Sequence, residues 1–269
     1  MRITIITSTL NCAGALAATA DSIRAHTYCS IQWIVADGES SDGTIDVIRR
    51  NADIIDHWLS EPDTGIYDAW NKACRLIDGN WVLFLGAGDL LASQQTLARM
   101  ASFLFDLPAN VAIAYGNVFQ LAEGRLLYRY GRVDLQRWDL HRPALPAHQG
   151  VFQRAELLMA RSPFDTSYRI AADTKFLLRT LRSSTAAYVD LDICQMEPGG
   201  VSADPRHALT FMREALRLQH DLGYRLPLVQ RAWFVCRSYM KHYVFRHFGP
   251  RGTNAMILAR RRMAKLIGR

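Results

Sequence analysis

Two aspartates each follow an apolar stretch that has the length of a buried strand. Asp37 follows the letters WIVA, and Asp89 follows WVLFLGAG. Open α/β sheets bind their ligands at the carboxyl ends of their strands, where the connecting loops bring polar side chains together. The two carboxylates therefore predict one ligand site that accepts hydrogen bonds from hydroxyl groups or coordinates a hard cation such as Mg²⁺.

A third carboxylate and a histidine are further candidates for chemistry. Asp173 lies near the start of a helix predicted at residues 170–183, and His148 follows a proline-containing loop. A carboxylate can remove a proton from an attacking hydroxyl group, and a histidine can bind Mn²⁺ or contact an anion. Each also has a structural alternative, because carboxylates favour helix N-termini and a lone histidine is usually structural. Gln149 is an alternative polar partner to His148.

The surrounding segments predict the elements that position these groups. Strand-like and helix-like patterns alternate through the first half, which is typical of a mostly parallel, doubly wound α/β sheet. The predicted strands are 2–8, 33–37, 54–60 and 81–85, and the predicted helices are 13–26, 43–52, 66–77 and 92–105. Beyond them the sequence predicts a strand at 112–117, a hairpin at 119–131, a strand at 148–154 and an extended stretch at 186–196.

Charge divides the chain into two parts. Residues 222–269 contain eleven Lys or Arg and neither Asp nor Glu, whereas the 221 residues before them hold 21 basic and 25 acidic residues. The first part is therefore nearly neutral and the second strongly basic. We predict a globular domain at 1–221 and a basic helical extension at 222–269.

Cysteine usage and hydropathy bear on the compartment. The five cysteines lie far apart and show no Cys-x-x-Cys or Cys/His pair at metal-binding spacing, which favours a reducing, cytoplasmic environment. The first apolar run, residues 3–6, is too short for a signal peptide. No uncharged apolar stretch of about 18 residues predicts a membrane span.

Six motifs occur in an order that resembles a known family. They are IVADGESSDGT, SEPDTGIYDAWNKA, VLFLGAGD, AHQGVFQR, YRIAADTKFLLR and EPGGVS, between residues 2 and 202. This order resembles the family 2 inverting glycosyltransferases, and particularly the branch that assembles bacterial exopolysaccharides such as colanic acid. The resemblance implies the GT-A fold, a nucleotide-sugar donor, and Mn²⁺ or Mg²⁺ as cofactor.

The resemblance also implies a role for each candidate residue. Asp173 would be the catalytic base, which deprotonates the acceptor hydroxyl as it attacks the anomeric carbon from the face opposite the diphosphate. Asp89 would hold the metal, with His148 as a second ligand or a diphosphate contact. The implied donor-binding residues are Thr7, Asp37, Gly38, Asp63, Gly65, Asn71, Lys72, Gly88 and Asp89; those near the acceptor or diphosphate are His148, Gln149, Gly199 and Gly200.

The metal motif departs from the family's usual Asp-x-Asp, because Ala87 stands at its first position. A single carboxylate would then share the ion with diphosphate oxygens and water, which leaves the strength of the metal dependence open. Structural alternatives also stay open for both strand-end aspartates. Asp37 can cap the helix at 43–52, although Ser41 or Asp42 is better placed, and Asp89 can cap the helix at 92–105. Lys72 can be a solvated helix lysine, and the Gly199-Gly200 segment a plain turn.

The basic extension predicts where the protein acts. A helical projection of its end places apolar residues on one face and basic residues on the other, an arrangement typical of helices that lie on anionic membranes. Residues 232–248 mix six aromatic with basic side chains and show no clear apolar stripe. A helical cap packed on the domain is the alternative, and no motif for nucleic-acid binding accompanies the charge. The apolar residues are Met256, Ala259, Met263, Leu266 and Ile267; the basic ones are Arg261, Arg262 and Lys265.

These features favour a non-processive hexosyltransferase at the inner face of the plasma membrane, which adds one sugar to a lipid-linked glycan during cell-surface polysaccharide synthesis. The lack of a Gln-x-x-Arg-Trp signature argues against a processive synthase. The main alternative is a non-catalytic module of the same fold that binds nucleotide sugars or glycans. A sugar nucleotidyltransferase would need a glycine-rich basic loop where Ser8-Thr9-Leu10-Asn11 stands. The sugar, the nucleobase, the acceptor and the oligomeric state do not follow from the sequence.

Overall fold

The computed structural model describes residues 1–122, 124–138, 142–197, 200 and 204–266, without the side chains of residues 250–266. The chain forms two compact units. The first comprises Met1–Leu135 and Ala144–Pro198, and the second comprises Gln136–Pro143 and Gly199–Arg269. Of the candidate residues, all but Gly199 and Gly200 belong to the first unit.

The described residues of the first unit form a nine-stranded sheet in the order β3-β2-β1-β4-β8-β6-β9-β5, with β7 paired to β6. Strands β1 to β4 are parallel, as predicted, because β1 pairs with β2 and β4, and β2 pairs with β3. In the other half, β8 runs antiparallel to β4 and β6, and β9 runs parallel to β6. The strands are β1 (Ile3–Thr9), β2 (Ile31–Asp37), β3 (His57–Ser60), β4 (Trp81–Phe84), β5 (Leu90–Leu91), β6 (Val111–Ala122), β7 (Arg125–Tyr130), β8 (Val151–Arg154) and β9 (Thr185–Met196).

Helices cover the sheet because its central strands are apolar on both faces. One core cluster joins Ile5 and Val35 of the strands to Leu16 of α1 and Met100 of α4. Leu177 of α5 packs in a second cluster with β6 and β8. The helices are α1 (Ala13–Arg24), α2 (Thr44–Arg50), α3 (Ile66–Ala73), α4 (Thr96–Phe105) and α5 (Ala172–Thr180), with 3₁₀ turns at Cys74–Leu76, His148–Gly150 and Ala155–Leu157.

The elements agree with the sequence prediction in type and differ at some ends. The hairpin at 119–131 is confirmed as the end of β6 followed by β7, with Gly124 at φ 73°. Strand β3 begins only at His57, because the preceding Asp56 accepts a hydrogen bond from the backbone N–H of Trp33. The segment predicted as a strand at 148–154 begins instead with a 3₁₀ turn.

The second unit is helical. It contains α6 (Ala208–Asp221), a 3₁₀ turn (Pro205–His207) and α7 (Leu228–Leu266), which is interrupted by the non-helical Gly249. Met212 and Ala215 of α6 form a core with Phe234 of α7. The second unit therefore begins before residue 222, where the basic part of the sequence begins. It includes α6, which is not strongly basic, because α6 packs against α7.

The apolar and basic faces predicted near the end of the chain lie on residues 256–267, whose side chains are outside the described part. The backbone there is helical as far as Leu266. Within the described residues, no helix combines the length and the hydropathy that a membrane span requires.

The turn that leads into β4 depends on close packing between Gly79 and β1. A Cβ atom at position 79 would lie 2.5 Å from Thr4 Oγ1 and 2.8 Å from the Thr4 backbone nitrogen. We expect Gly79→Ala to destabilise the first unit by about 2 kcal/mol, since the backbone of a central strand must shift to relieve the overlap. Urea unfolding followed by far-UV circular dichroism measures the effect.

Gly14→Ala is the matched control, because Gly14 lies in α1 and has no atom within 4 Å of its Cβ position. Alanine favours the helix by up to about 1 kcal/mol, so this variant should be as stable as the wild type or more stable. Equal stability of the two alanine variants would show that the turn tolerates a Cβ atom.

Candidate active site

Asp37 lies at the carboxyl edge of the sheet and is 1% exposed. One carboxylate oxygen accepts hydrogen bonds from Thr9 Oγ1 (2.8 Å) and Ser40 Oγ (2.5 Å). The other accepts from Ser60 Oγ (2.8 Å) and the Ser40 backbone N–H (2.8 Å). Burial raises the pKa of this carboxyl, but the four donors lower it below the ordinary value overall. Asp37 is therefore ionised and ties together the ends of β1, β2 and β3.

This arrangement changes the expectation for Asp37. From the sequence, we expected the Asp37 carboxylate to contact a nucleobase or ribose. Each of its oxygens, however, already accepts two hydrogen bonds from the protein. It is not a helix cap either, because Gly43 precedes α2 and Asp42 accepts the Thr44 backbone N–H. The structure thus uses Asp37 to shape the loop at 38–43, and direct contact with a ligand stays a prediction.

Asp63 presents a freer carboxylate beside the same loop. Its Oδ2 lies 2.6 Å from the position that a Cβ atom of residue 38 would take, so any larger residue there would displace the carboxylate. Its Oδ1 accepts a hydrogen bond from the backbone N–H of Gly65 (2.8 Å). Gly65 has φ +133°, a backbone conformation that favours glycine. Oδ2 accepts no hydrogen bond from the described residues. The predicted group Gly38, Asp63 and Gly65 is therefore brought together, with an available acceptor at its centre.

Two predicted donor-binding residues have polar side-chain atoms that form hydrogen bonds inside the fold. Thr7 is fully buried, and its Oγ1 accepts a hydrogen bond from Trp33 Nε1 (3.0 Å) inside the sheet. Asn71 is 3% exposed, and its amide pairs with both backbone groups of Phe164, at 2.8 and 2.9 Å. The polar atoms of these side chains thus bond to buried partners that are distant in sequence, and a contact of either residue with the donor stays a prediction.

Lys72 is mostly engaged within the protein as well. Its Nζ donates to the Pro62 carbonyl oxygen (2.8 Å) and lies 3.1 Å from a carboxylate oxygen of Glu61 and 3.5 Å from one of Asp68. Burial lowers the pKa of this amine, but the two carboxylates raise it overall, so the side chain is cationic. The lysine therefore fastens α3 to the loop that precedes it, and a contact with nucleotide charge stays a prediction.

The turn after β4 is built around Asp89. Its Oδ2 accepts the Gly86 backbone N–H (3.0 Å) and lies 2.8 Å from the position of a Cβ atom at residue 86. Gly88 adopts φ +94°, and its N–H donates to Thr19 of α1 (2.9 Å). Since α4 begins only at Thr96, Asp89 is not its cap. The three small residues fold the chain back so that the carboxylate lies over glycine.

Asp89 has the properties of a carboxylate that binds a cation. Burial raises its pKa to about 6, and the single hydrogen bond from Gly86 offsets this only in part. Its Oδ1 accepts no hydrogen bond from the described residues, and the described residues contain no group of three or more His, Cys, Asp or Glu side chains able to hold a metal ion. That an ion at Asp89 takes further ligands from a bound molecule stays a prediction.

His148 lies in an aromatic cluster next to Asp173. Its ring stacks on Trp70 with centroids 5.2 Å apart and lies 5.5 Å from the ring of Phe84. Its Nε2 is 3.2 Å from Nε2 of Gln153. Burial lowers the pKa of His148, and the negative charge of Asp173 offsets part of this shift. The histidine is therefore neutral at pH 7 and associated with Asp173, whereas its role as a metal ligand stays a prediction.

Asp173 lies in the first turn of α5 and is half-buried. Its Oδ1 accepts hydrogen bonds from the Thr174 backbone N–H (2.6 Å) and from the hydroxyl of Tyr67 (3.0 Å), which also lies 2.6 Å from the Ile170 carbonyl oxygen. Its Oδ2 accepts none from the described residues. The carboxylate is thus oriented through one oxygen and open at the other, as a base for an incoming hydroxyl group requires. The sequence analysis did not identify Tyr67, although it lies in the motif GIYDAWN.

The remaining candidates are less defined. The carbonyl oxygen of Gln149 accepts a hydrogen bond from the Cys194 thiol (3.3 Å), and its side chain is half-buried. Gly200 is exposed and has no atom within 4 Å of its Cβ position. Gly199 lies outside the described residues. A contact of these three residues with the diphosphate or the acceptor stays a prediction.

The raised pKa of Asp89 predicts a pH-dependent stability for the metal-free protein. Because the folded carboxyl binds its proton more tightly than the unfolded one, Asp89 stabilises the fold below about pH 4, and this contribution is lost as the pH rises through about 6. We expect Asp89→Asn to be more stable than the wild type at pH 8 by about 1–3 kcal/mol, and equally stable near pH 4. Urea unfolding in the presence of a chelator, from pH 4 to 8, measures the difference.

Asp106→Asn is the control, since Asp106 is exposed after α4. We expect it to follow the pH dependence of the wild type. If Asp89→Asn does so too, Asp89 is not the strained carboxylate that its surroundings suggest.

Comparison with known proteins agrees with this geometry. The model of the family described as glycosyl transferase family 2 matches residues 4–173. A PGL/p-HBAD biosynthesis glycosyltransferase of Mycobacterium bovis (strain BCG / Pasteur 1173P2) is 35% identical over 236 residues, which cover 85% of this chain and 90% of the relative.

Solved structures share the fold at low sequence identity. A mannosyltransferase, PcManGT from Pyrobaculum calidifontis, in complex with GDP-Man and Mn²⁺, superposes with a TM-score of 0.62 at 18% identity, covering 98% of this chain and 80% of that one. Residues 1–349 of S. aureus TarS in complex with UDP give a TM-score of 0.62 at 16% identity, covering 90% and 72%. The predicted GT-A fold is confirmed, and the chain belongs to glycosyltransferase family 2.

Proposed function

We propose that this glycosyltransferase moves one hexose from a nucleotide-sugar donor to a hydroxyl group of a glycan acceptor, with inversion at the anomeric carbon. The observation that carries the proposal is the state of Asp173. One of its oxygens is fixed by Tyr67 and Thr174, and the other accepts no hydrogen bond from the described residues. A carboxylate held in this way is suited to act as a general base.

The proposed step is a single displacement. The acceptor oxygen forms a bond to the anomeric carbon while its proton passes to Oδ2 of Asp173. The bond between the anomeric carbon and the diphosphate oxygen breaks on the opposite face, and the nucleoside diphosphate leaves with the electron pair. Because His148 beside Asp173 is neutral, it does not compete as a cation for the charged oxygen. General-base catalysis of this kind contributes about 10²- to 10⁴-fold in rate.

The donor is proposed to lie along the carboxyl ends of β1, β2 and β4. The open oxygen of Asp63 beside Gly38 offers an acceptor for base or ribose donors, and Asp89 offers a ligand for a divalent ion, Mn²⁺ or Mg²⁺. Bound there, such an ion would neutralise part of the diphosphate charge. Two proteins of similar fold support this assignment, since one was solved with GDP-Man and Mn²⁺ and another with UDP.

For the acceptor we propose a lipid-linked glycan at the inner face of the plasma membrane, in the synthesis of a bacterial cell-surface polysaccharide. The relative from M. bovis supports a role in glycosyl transfer within a biosynthetic pathway, because its name gives it as a glycosyltransferase of PGL/p-HBAD biosynthesis. The basic second unit supports proximity to anionic lipids, since residues 222–269 carry eleven Lys or Arg and no acidic residue. The exopolysaccharide branch and non-processive transfer remain parts of this proposal.

Asp173→Asn tests the catalytic assignment. Asparagine keeps the size and the hydrogen bonds of the side chain but accepts no proton, so we expect kcat to fall about 10²- to 10⁴-fold while donor affinity is unchanged. Calorimetry with UDP-, GDP- and dTDP-sugars, with and without Mn²⁺, identifies the donor. Release of the nucleoside diphosphate then gives the rate.

The outcomes separate the candidate functions. Wild-type turnover in Asp173→Asn would remove Asp173 from the mechanism. Donor binding without turnover in the wild type, even with acceptor extracts, would favour the non-catalytic module.

Tyr67→Phe tests whether the tyrosine hydroxyl positions the base. Removing it frees Oδ1 of Asp173 from one of its two donors, so we expect kcat to fall about tenfold while the donor KM stays within about twofold. Tyr28→Phe is the matched control, because the Tyr28 hydroxyl donates to the Met1 carbonyl oxygen, away from the candidate residues. A change in KM alone, or equal effects of the two variants, would assign Tyr67 a purely structural role.

A further inference from the structure

The first turns of α7 carry an exposed apolar face. Val229, Trp233, Met240 and Tyr243 are 82%, 57%, 45% and 58% exposed, and the exposed Cys236 lies between them. Their spacing alternates between four and three residues, which keeps them on one side of a helix. The segment as a whole still shows no clear apolar stripe, since Tyr239 and Phe248 are exposed to either side of this face.

The opposite face of α7 is already used. Phe234 is 4% exposed and packs with Met212 and Ala215 of α6. Ser238 is 8% exposed, and its hydroxyl donates to the Phe234 carbonyl oxygen (2.8 Å). The contact with α6 therefore fixes which side of α7 is buried. The exposed side from Val229 to Tyr243, which we call the α7 face, extends over about 21 Å of helix.

Cations border the α7 face on both sides. At about 100° per residue, Arg237 lies about 80° to one side of its centre and Arg246 about 100° to the other. Within α7 neither border carries an acidic residue, since no Asp or Glu follows Asp221 in the sequence, and the nearby Asp204 acts on Lys241, where its charge offsets part of the lowering of the pKa of that amine. The helix thus combines large apolar and aromatic side chains with flanking positive charge.

Charge distinguishes between two occupants of this face. Spacing of four and three residues is also the pattern of a coiled coil, so a second copy of the chain is conceivable. Two copies paired along α7, however, would bring two strongly basic segments together without any acidic partner in them. A surface of anionic lipid headgroups complements the charge, and the boundary beneath it accepts Trp, Tyr and Met side chains.

We propose that the α7 face docks in the headgroup region of a bilayer that contains anionic lipids. Trp233, Met240 and Tyr243 enter the boundary between headgroups and acyl chains, and the exposed Arg246 contacts phosphate groups. This surface deepens the proposed function, on which it rests, by naming the residues that bring the enzyme to a lipid-linked acceptor. It also assigns the docking to the first part of α7 rather than to the face predicted near the end of the chain.

The test is sedimentation of the full chain with phosphatidylcholine vesicles, with and without phosphatidylglycerol. We expect binding that requires phosphatidylglycerol and weakens with salt. The combined variant Trp233→Ser, Met240→Ser and Tyr243→Ser should bind about 100-fold more weakly, because three large side chains no longer enter the boundary. Arg246→Gln should weaken binding about fivefold, for anionic vesicles only.

A matched control removes comparable apolar surface elsewhere. Phe105, Leu126 and Tyr128 are 77%, 58% and 52% exposed in the first unit, and their combined serine variant should bind vesicles like the wild type. Equal loss in both serine variants, or none in the α7 variant, would overturn the proposal. So would a dimer in sedimentation velocity that the α7 variant abolishes without any dependence on lipid.

Donor calorimetry separates this proposal from the proposed function. The α7 variant should bind the nucleotide sugar as the wild type does and should transfer it to a water-soluble acceptor analogue at the same rate. Loss of vesicle binding with these activities intact supports the docking surface. Vesicle binding that persists in a chain without donor binding would instead refute the enzymatic proposal alone.

Discussion

The buried charge of Asp37 is the interaction on which the candidate site depends. An ionised carboxylate inside a protein is costly unless it is fully hydrogen-bonded, and here four donors from three segments surround it. Thr9, Asp37 and Ser60 stand abreast in the registers of β1, β2 and β3, so one charge aligns three strand ends. The segments that carry Gly38 and Asp63 leave the sheet from this point, directly after β2 and β3.

Two further carboxylates at this edge of the sheet each pack against a glycine. Asp63 lies over Gly38 and Asp89 lies over Gly86, each so close that a Cβ atom would meet a carboxylate oxygen below 3 Å. Neither glycine has a positive φ, so the requirement comes from the contact and not from the backbone conformation. Each carboxylate leaves one oxygen without a hydrogen bond from the described residues. A small residue below each carboxylate thus allows the carboxylate to pack directly against the backbone at this edge of the sheet.

Contacts between residues that are far apart in the sequence are the ones that the sequence did not predict. Alternating apolar segments and glycine turns are local, so the parallel strands and the turn at Asp89 were predictable. Thr7 and Asn71 look like ligand contacts from the sequence, but their partners, Trp33 and Phe164, lie 26 and 93 positions away. The contact of Tyr67 with Asp173 spans 106 positions and leaves no periodic signal. Polar residues next to a motif are therefore ambiguous until the fold shows which of them the core has already used.

The two half-buried carboxylates Asp89 and Asp173 differ in the number and kind of hydrogen-bond donors around them. Asp173 has a hydroxyl and a backbone N–H on one oxygen, and these two donors orient its carboxylate. Asp89 has one backbone donor, and burial raises its pKa to about 6, so it is the group that gains most from a nearby cation. With Ala87 in place of a second carboxylate, an ion bound at Asp89 must take further ligands from the donor diphosphate. Under the proposed function, metal and donor therefore bind as one unit, and each raises the affinity of the protein for the other.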